Sequence, residues 1–97
     1  MNKIFALLVF LLTLGSSGLA QEGIIKGIVT EAGTQAALAG VEVRVEGKQQ
    51  STLTDQQGSF SIKAAEKDIL VFKFLGYETK KVKVGKKKTI KVILQAE

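Results

Sequence analysis

An all-β sandwich is the fold that residues 21–97 predict, and three observations lead there. Apolar side chains recur at every second position through seven short segments, the period of a strand with one buried face. Glycine- and aspartate-bearing turn signals part these segments roughly every 8–12 residues, the spacing of a small all-β domain. No stretch after the first 20 residues carries a helical period. The expected architecture is a seven-stranded antiparallel β-sandwich with Greek-key connections.

The elements follow in order. In Ile25-Lys26-Gly27-Ile28-Val29-Thr30, positions 25, 27 and 29 share one face. A glycine inside a strand, here Gly27, signals a close backbone approach or a bulge. Glu31 to Gly40 is a connection of small and polar residues. Val41, Val43 and Val45 then point one way while Glu42, Arg44 and Glu46 point the other, which sets one face on a core and one in water. Gly47-Lys48-Gln49-Gln50 is a turn, and Ser51 to Thr54 a short β-prone segment. In Asp55-Gln56-Gln57-Gly58 the aspartate can bond the backbone two residues on and the glycine suits the exit. Phe60 and Ile62 alternate with Ser59, Ser61 and Lys63, so a hairpin is expected about that turn.

Ala64 to Asp68 reads as a polar connection with room for a helical turn. Ile69 to Leu75 is the most apolar stretch of the domain and is expected to be a central strand, with Leu70, Phe72 and Phe74 on one face. Gly76-Tyr77 breaks it. Val82 and Val84 alternate with Lys81 and Lys83, Gly85 to Lys88 turns the chain, and Ile90, Val92 and Leu94 alternate with Lys91 and Ile93.

The first 20 residues are of another kind. Lys3 gives a positive start, Ile4 to Leu14 is an apolar run of 11 residues, and Gly15-Ser16-Ser17-Gly18-Leu19-Ala20 leads to a cleavage site after Ala20 with Gly18 at −3. This is the layout of a secretory signal peptide. The run is short of the roughly 20 apolar residues a spanning helix needs, so no transmembrane span is expected once the leader is removed. The chain has no cysteine, which excludes a lipoprotein anchor at that site. The expected organisation is a leader over 1–20 and one domain over 21–97, exported to the periplasm, to the outer membrane or beyond the cell.

Such a small domain buries only about 60% of its unfolded surface, and with no cysteine it has no disulfide to compensate. Its stability must come from apolar packing and well-paired sheets. Without Lys3 it carries 13 basic and nine acidic side chains, a net charge of +4. The excess lies at the C-terminal end, where Lys80, Lys81, Lys83, Lys86, Lys87, Lys88 and Lys91 form a candidate anion-contact patch. The patch suits an anionic glycan or lipid, or serves as a solvated face that protects sheet edges. Export argues against nucleic acid as partner.

At this point the residues resemble a known family. The string IKGIVTEAGTQAALAGVEVRVEGKQQSTLTDQQGSFSIKA is similar to the carboxypeptidase regulatory-like domain, a transthyretin-like (prealbumin-like) β-sandwich. It carries in order Gly27-x-Val29-Thr30, Leu38-x-Gly40-Val41 leading into Val43-x-Val45, and Thr54-Asp55-x-x-Gly58-x-Phe60. The continuation LVFKFLGYETKKVKV is similar to the form found at the N-terminus of TonB-dependent outer-membrane receptors of the starch-utilisation type. There a strand ending in Gly-Tyr, with a following Val-x-Val, closes the sandwich. The family often has proline in the loop before its Gly-Val, whereas this loop reads Gln35-Ala36-Ala37-Leu38-Ala39. No residues here match the plug and barrel of the receptors or the zinc peptidase of the carboxypeptidases, so the resemblance implies neither activity.

The side chains offer little chemistry. There is no histidine or cysteine for a zinc site, and Asp55 and Asp68 stand alone without the Asp-x-Asp-x-Asp-Gly pattern of a calcium loop. Ser51, Ser59 and Ser61 have no base to activate them. The transthyretin-like hydrolases that open a urate-derived ring use histidines and a distinctive tail, both lacking here. Phe60, Phe72 and Phe74 read as core, and Tyr77 as a packed tyrosine whose hydroxyl bonds backbone. The expectation is no catalytic, cofactor or metal residue. The chain is expected to be an exported, non-enzymatic interaction or accessory module of the cell envelope. Its partner would be an envelope protein, an outer-membrane receptor or the receptor's glycan ligand. The alternatives are the N-terminal extension of a TonB-dependent nutrient receptor, and a basic module on an anionic glycan or lipid surface.

Overall fold

The computed structural model describes residues 22–97. The leader expected over residues 1–20 lies outside them. Seven strands are present among the described residues: β1 Glu22–Glu31, β2 Glu42–Val45, β3 Ser51–Leu53, β4 Ser59–Ala65, β5 Ile69–Lys73, β6 Lys80–Lys83 and β7 Thr89–Leu94. They form a three-stranded sheet in the order β4-β1-β7 and a four-stranded sheet in the order β3-β2-β5-β6. The sandwich is the one the alternation predicts, and β5 is an interior strand with β2 and β6 beside it.

The core is the set of inward residues that period-2 patterning selects. Ile25 and Val29 from β1, Val43 and Val45 from β2, Phe60 and Ile62 from β4, Leu70 and Phe72 from β5, and Ile90, Val92 and Leu94 from β7 are all buried. The rings of Phe60 and Phe72 meet edge to face across the sheets, with centroids 5.5 Å apart, a geometry that adds to plain burial. Gly27 is a close approach and not a bulge. It pairs with Phe60 on one side and Ile90 on the other, and a Cβ there would strike the Phe60 ring and the Ile90 carbonyl oxygen. The missing side chain lets the phenyl ring lie across β1.

Four expectations are corrected. Ser51–Thr54 and Ser59–Lys63 do not form a hairpin: β3 pairs with β2, while β4 crosses to the other sheet and pairs with β1. The turn itself has the expected chemistry. The Gly58 amide donates to the Asp55 carbonyl, and the Asp55 carboxylate accepts from the amides of Gln57 and Ser59, each at 2.9 Å. What redirects the chain is the Val29 amide, which donates to the Gly58 carbonyl at 2.8 Å and captures the exit for β1. Second, the sheets are not wholly antiparallel, because β1 and β7 pair in parallel from Lys26↔Thr89 to Glu31↔Leu94. Third, Ala64 and Ala65 belong to β4 and are buried; only Glu66 and Lys67 turn the chain. Fourth, the Tyr77 hydroxyl donates to a carboxylate oxygen of Glu31 at 2.8 Å and not to backbone.

The loop without proline is tied down by other means. The Gln35 amide donates to the Glu31 carbonyl, the Glu31 amide to the Ala36 carbonyl, and the Leu38 amide to the Val29 carbonyl. Gln35 takes φ 62°, the one non-glycine in the left-handed region among the described residues. Leu38 then reaches the core.

Candidate interaction surfaces

Two polar side chains are buried among the described residues, Thr54 and Asp68. Neither has the surroundings of a catalytic group. The Thr54 hydroxyl accepts from the Val41 amide at 2.9 Å and donates to the Leu38 carbonyl at 2.6 Å. It thereby locks the loop before β2 to the end of β3. Asp68 accepts from the Ala65 amide at 2.8 Å and from Lys48 Nζ at 3.2 Å. The amide bond, with Lys48 adding to it, holds the carboxyl below its ordinary pKa of 3.8. Asp68 in turn raises the pKa of Lys48. Glu22 completes the cluster, 3.5 Å from the same ammonium. Both buried side chains are staples between connections, and sequence reasoning misses them because nothing local marks a threonine or an aspartate as buried. No group of three or more His, Cys, Asp or Glu side chains is placed to hold a metal ion among the described residues.

Tyr77 packs at the end where the chain leaves the sandwich. Its ring stacks on Phe74 with centroids 5.5 Å apart, and the Glu31 bond raises its pKa above 10.0. Tyr77 also bridges to Ala96, and the Glu97 amide donates to the Gly76 carbonyl. The C-terminal residues are thus tied to the Gly76 turn.

The predicted lysine patch is divided among several directions. Lys81 leaves the outer face of the four-stranded sheet and pairs with Glu46 at 2.6 Å. Lys80 reaches across the sandwich edge to the Ile93 carbonyl at 3.2 Å. Lys83 ends β6 on the same outer face as Lys81, and Lys86, Lys87 and Lys88 lie in the turn between β6 and β7. Lys91 projects outward from the three-stranded sheet.

The two outer faces differ in kind. On the four-stranded sheet, Glu42, Arg44, Glu46 and Lys81 neutralise one another, Arg44 bonding Glu42 at 3.0 Å. A hollow of about 240 Å³ lies over these residues with Val71, Lys73 and Thr79 on its walls. On the three-stranded sheet the outward positions of β1 are Glu22, Ile24, Lys26, Ile28 and Thr30; Glu22 is taken up by Lys48, and Ile24 to Ile28 are flanked by Ser61 and Lys63 of β4 and by Lys91 and Ile93 of β7. Lys26, Lys63 and Lys91 take part in no ion pair among the described residues.

The edges are guarded unequally. β3 has three residues, β6 carries lysine at three of its four positions, and Glu78 and Lys80 bond across the edge of β7. Short strands, lysines and crossing chain are the usual defences against edge-to-edge pairing. No helix among the described residues is long and apolar enough to cross a membrane.

Comparison with known proteins places this architecture. The family model of the CarboxypepD_reg-like domain matches residues 25–97. A TonB-dependent receptor, P3 of Formosa agariphila, is 36% identical over 92 residues, which is 94% of this chain and 9% of the receptor. The TonB-dependent receptor SusC of Bacteroides thetaiotaomicron is 33% identical over 85 residues, 88% of this chain and 8% of the receptor. The chain therefore spans less than a tenth of the length of these relatives. Among solved structures, a chain of a type II Cohesin-X-Dockerin complex from Acetivibrio cellulolyticus superposes with a TM-score of 0.62 at 22% identity. That match covers 75% of this chain and 57% of the other, and it supports the β-sandwich fold alone.

Proposed function

The chain belongs to the CarboxypepD_reg-like domain family, and from that premise we propose that it is a non-catalytic interaction module serving a TonB-dependent receptor at the outer membrane. The observation that carries this reading is the similarity to receptors over nearly the entire chain at a small fraction of their length. It supports the reading of the chain as a module distinct from the rest of a receptor. The geometry agrees with such a role. The buried polar side chains are spent on holding loops, and the exposed ones present faces and edges. Contact through a sheet face and strand addition along β4 are the two physical means open to it. Export by the leader over residues 1–20 is part of the same proposal.

The test is affinity isolation of the tagged protein from the outer membrane of its own cells, with the gene read beyond the codon for Glu97. A receptor found either in frame or co-purifying at constant ratio is the expected result. Purification with no outer-membrane protein above an untagged control, or substrate turnover by the purified protein, would overturn the reading.

A further inference from the structure

The outer face of β4-β1-β7 combines exposed aliphatic side chains with unpaired positive charge. Ile24, Ile28 and Ile93 are 51%, 42% and 47% exposed. They lie close together in the sheet register. Ile24 and Ile28 flank Lys26 on one face of β1, and Ile28 stands beside Lys91, two residues from Ile93 on the neighbouring strand. Lys63 is directly opposite Ile24. Single exposed isoleucines need no explanation. Three on one three-stranded face, among lysines with no carboxylate partner, form a patch whose charge is left uncompensated.

The opposite face makes the contrast. There two carboxylates, Glu42 and Glu46, lie among the cations and pair with Arg44 and Lys81, although Lys73 and Lys83 on that face take part in no ion pair among the described residues.

We infer that the outer face of β4-β1-β7 is a docking surface for a protein segment that presents aliphatic side chains flanked by carboxylates; this rests on the interaction-module reading above. Charge complementarity selects that occupant. A second copy of the chain placed face to face about a two-fold axis would set Lys26, Lys63 and Lys91 against one another. A lipid surface fits less well, because the lysine side chains outreach the isoleucines between them and would hold those methyl groups at headgroup level. A folded partner can seat its own aliphatic residues between the lysine stems while its carboxylates meet the ammonium groups.

Carbodiimide coupling tests this in intact envelopes of cells making the tagged full chain, since it joins lysine amines to carboxylates only where they touch. Amide links from Lys26, Lys63 or Lys91 to aspartates or glutamates of one other protein are expected. The double variant Ile24→Thr with Ile28→Thr keeps β-branched residues at exposed positions and so keeps strand preference; it should lower the yield at least tenfold. Leu53→Thr, on the other sheet, should leave it unchanged, and far-UV dichroism checks that all variants fold. Coupling confined to other lysines, a yield indifferent to the isoleucines, links between two copies of the chain, or no coupling overturns the inference. So does Ile28-dependent sedimentation with phosphatidylglycerol vesicles. A receptor that co-purifies undiminished with the double variant would leave the module reading standing while this face assignment fell. Coupling at this face to a protein of no receptor assembly would do the reverse.

Discussion

Thr54 gives the sharpest test of how this sandwich is held. The residue is 5% exposed, and its hydroxyl serves two buried backbone groups, the Val41 amide and the Leu38 carbonyl. Thr54→Val keeps the shape and removes both bonds. Each orphaned buried group costs about 1–3 kcal/mol, while the added methyl returns up to about 0.8 kcal/mol. The net loss expected is about 1–5 kcal/mol, centred near 3. Thr54→Ser keeps both bonds and loses one methyl, a cost of about 1 kcal/mol. The order of stability is therefore wild type, then the serine variant, then the valine variant, against the order that hydrophobicity predicts. Urea unfolding followed by far-UV dichroism measures it, with equal m-values showing that only stability has changed. A Thr54→Val protein as stable as the Thr54→Ser protein would refute the hydroxyl's role as a clamp.

Other expectations follow from the same packing. Gly27→Ala should cost at least about 1–3 kcal/mol, because its Cβ meets the Phe60 ring and the Ile90 carbonyl; adding Phe60→Leu should recover part of the loss in the same unfolding assay. Phe72→Ala, at a fully buried position, should lose about 3–5 kcal/mol, and a loss below about 1 kcal/mol would place the ring elsewhere. Asp68 has a depressed carboxyl pKa, so its contribution is present above the ordinary value near 3.8 and is lost as pH falls through the lower folded value. Thermal unfolding against pH should show this acid decline, and Asp68→Asn should flatten it. Tyr77 is the only tyrosine and there is no tryptophan, so tyrosinate absorbance reports it alone; its midpoint should lie above 10.0, and Glu31→Gln should bring it down.

Much of the sandwich is legible in the chain itself. Val41, Val43 and Val45 against Glu42, Arg44 and Glu46 state their facing outright, as do Ile90, Val92 and Leu94, because a strand's two faces are a local property of the backbone. Asp55 and Gly58 announce their turn for the same reason. The candidate surface is less legible. Eight lysines between Lys73 and Lys91 stand out by their density, yet the fold sends them in different directions. Lys26, Lys63 and the three isoleucines are dispersed along the chain and come together only through strand pairing.

The order of residues thus dictates how many strands form, which side chains turn inward, where the chain bends, and the family it belongs to. Pairing is a property of the assembled fold. Folding sets β3 and β4 in different sheets despite a well-formed turn between them, lays β7 parallel to β1, and buries Thr54 and Asp68. Facing and turning depend on neighbours in the chain. Pairing depends on backbone groups such as the Val29 amide, which bonds the Gly58 carbonyl from a distant segment, and every residue but proline carries the same amide and carbonyl. Nothing in the identity of a valine or a glycine advertises that bond.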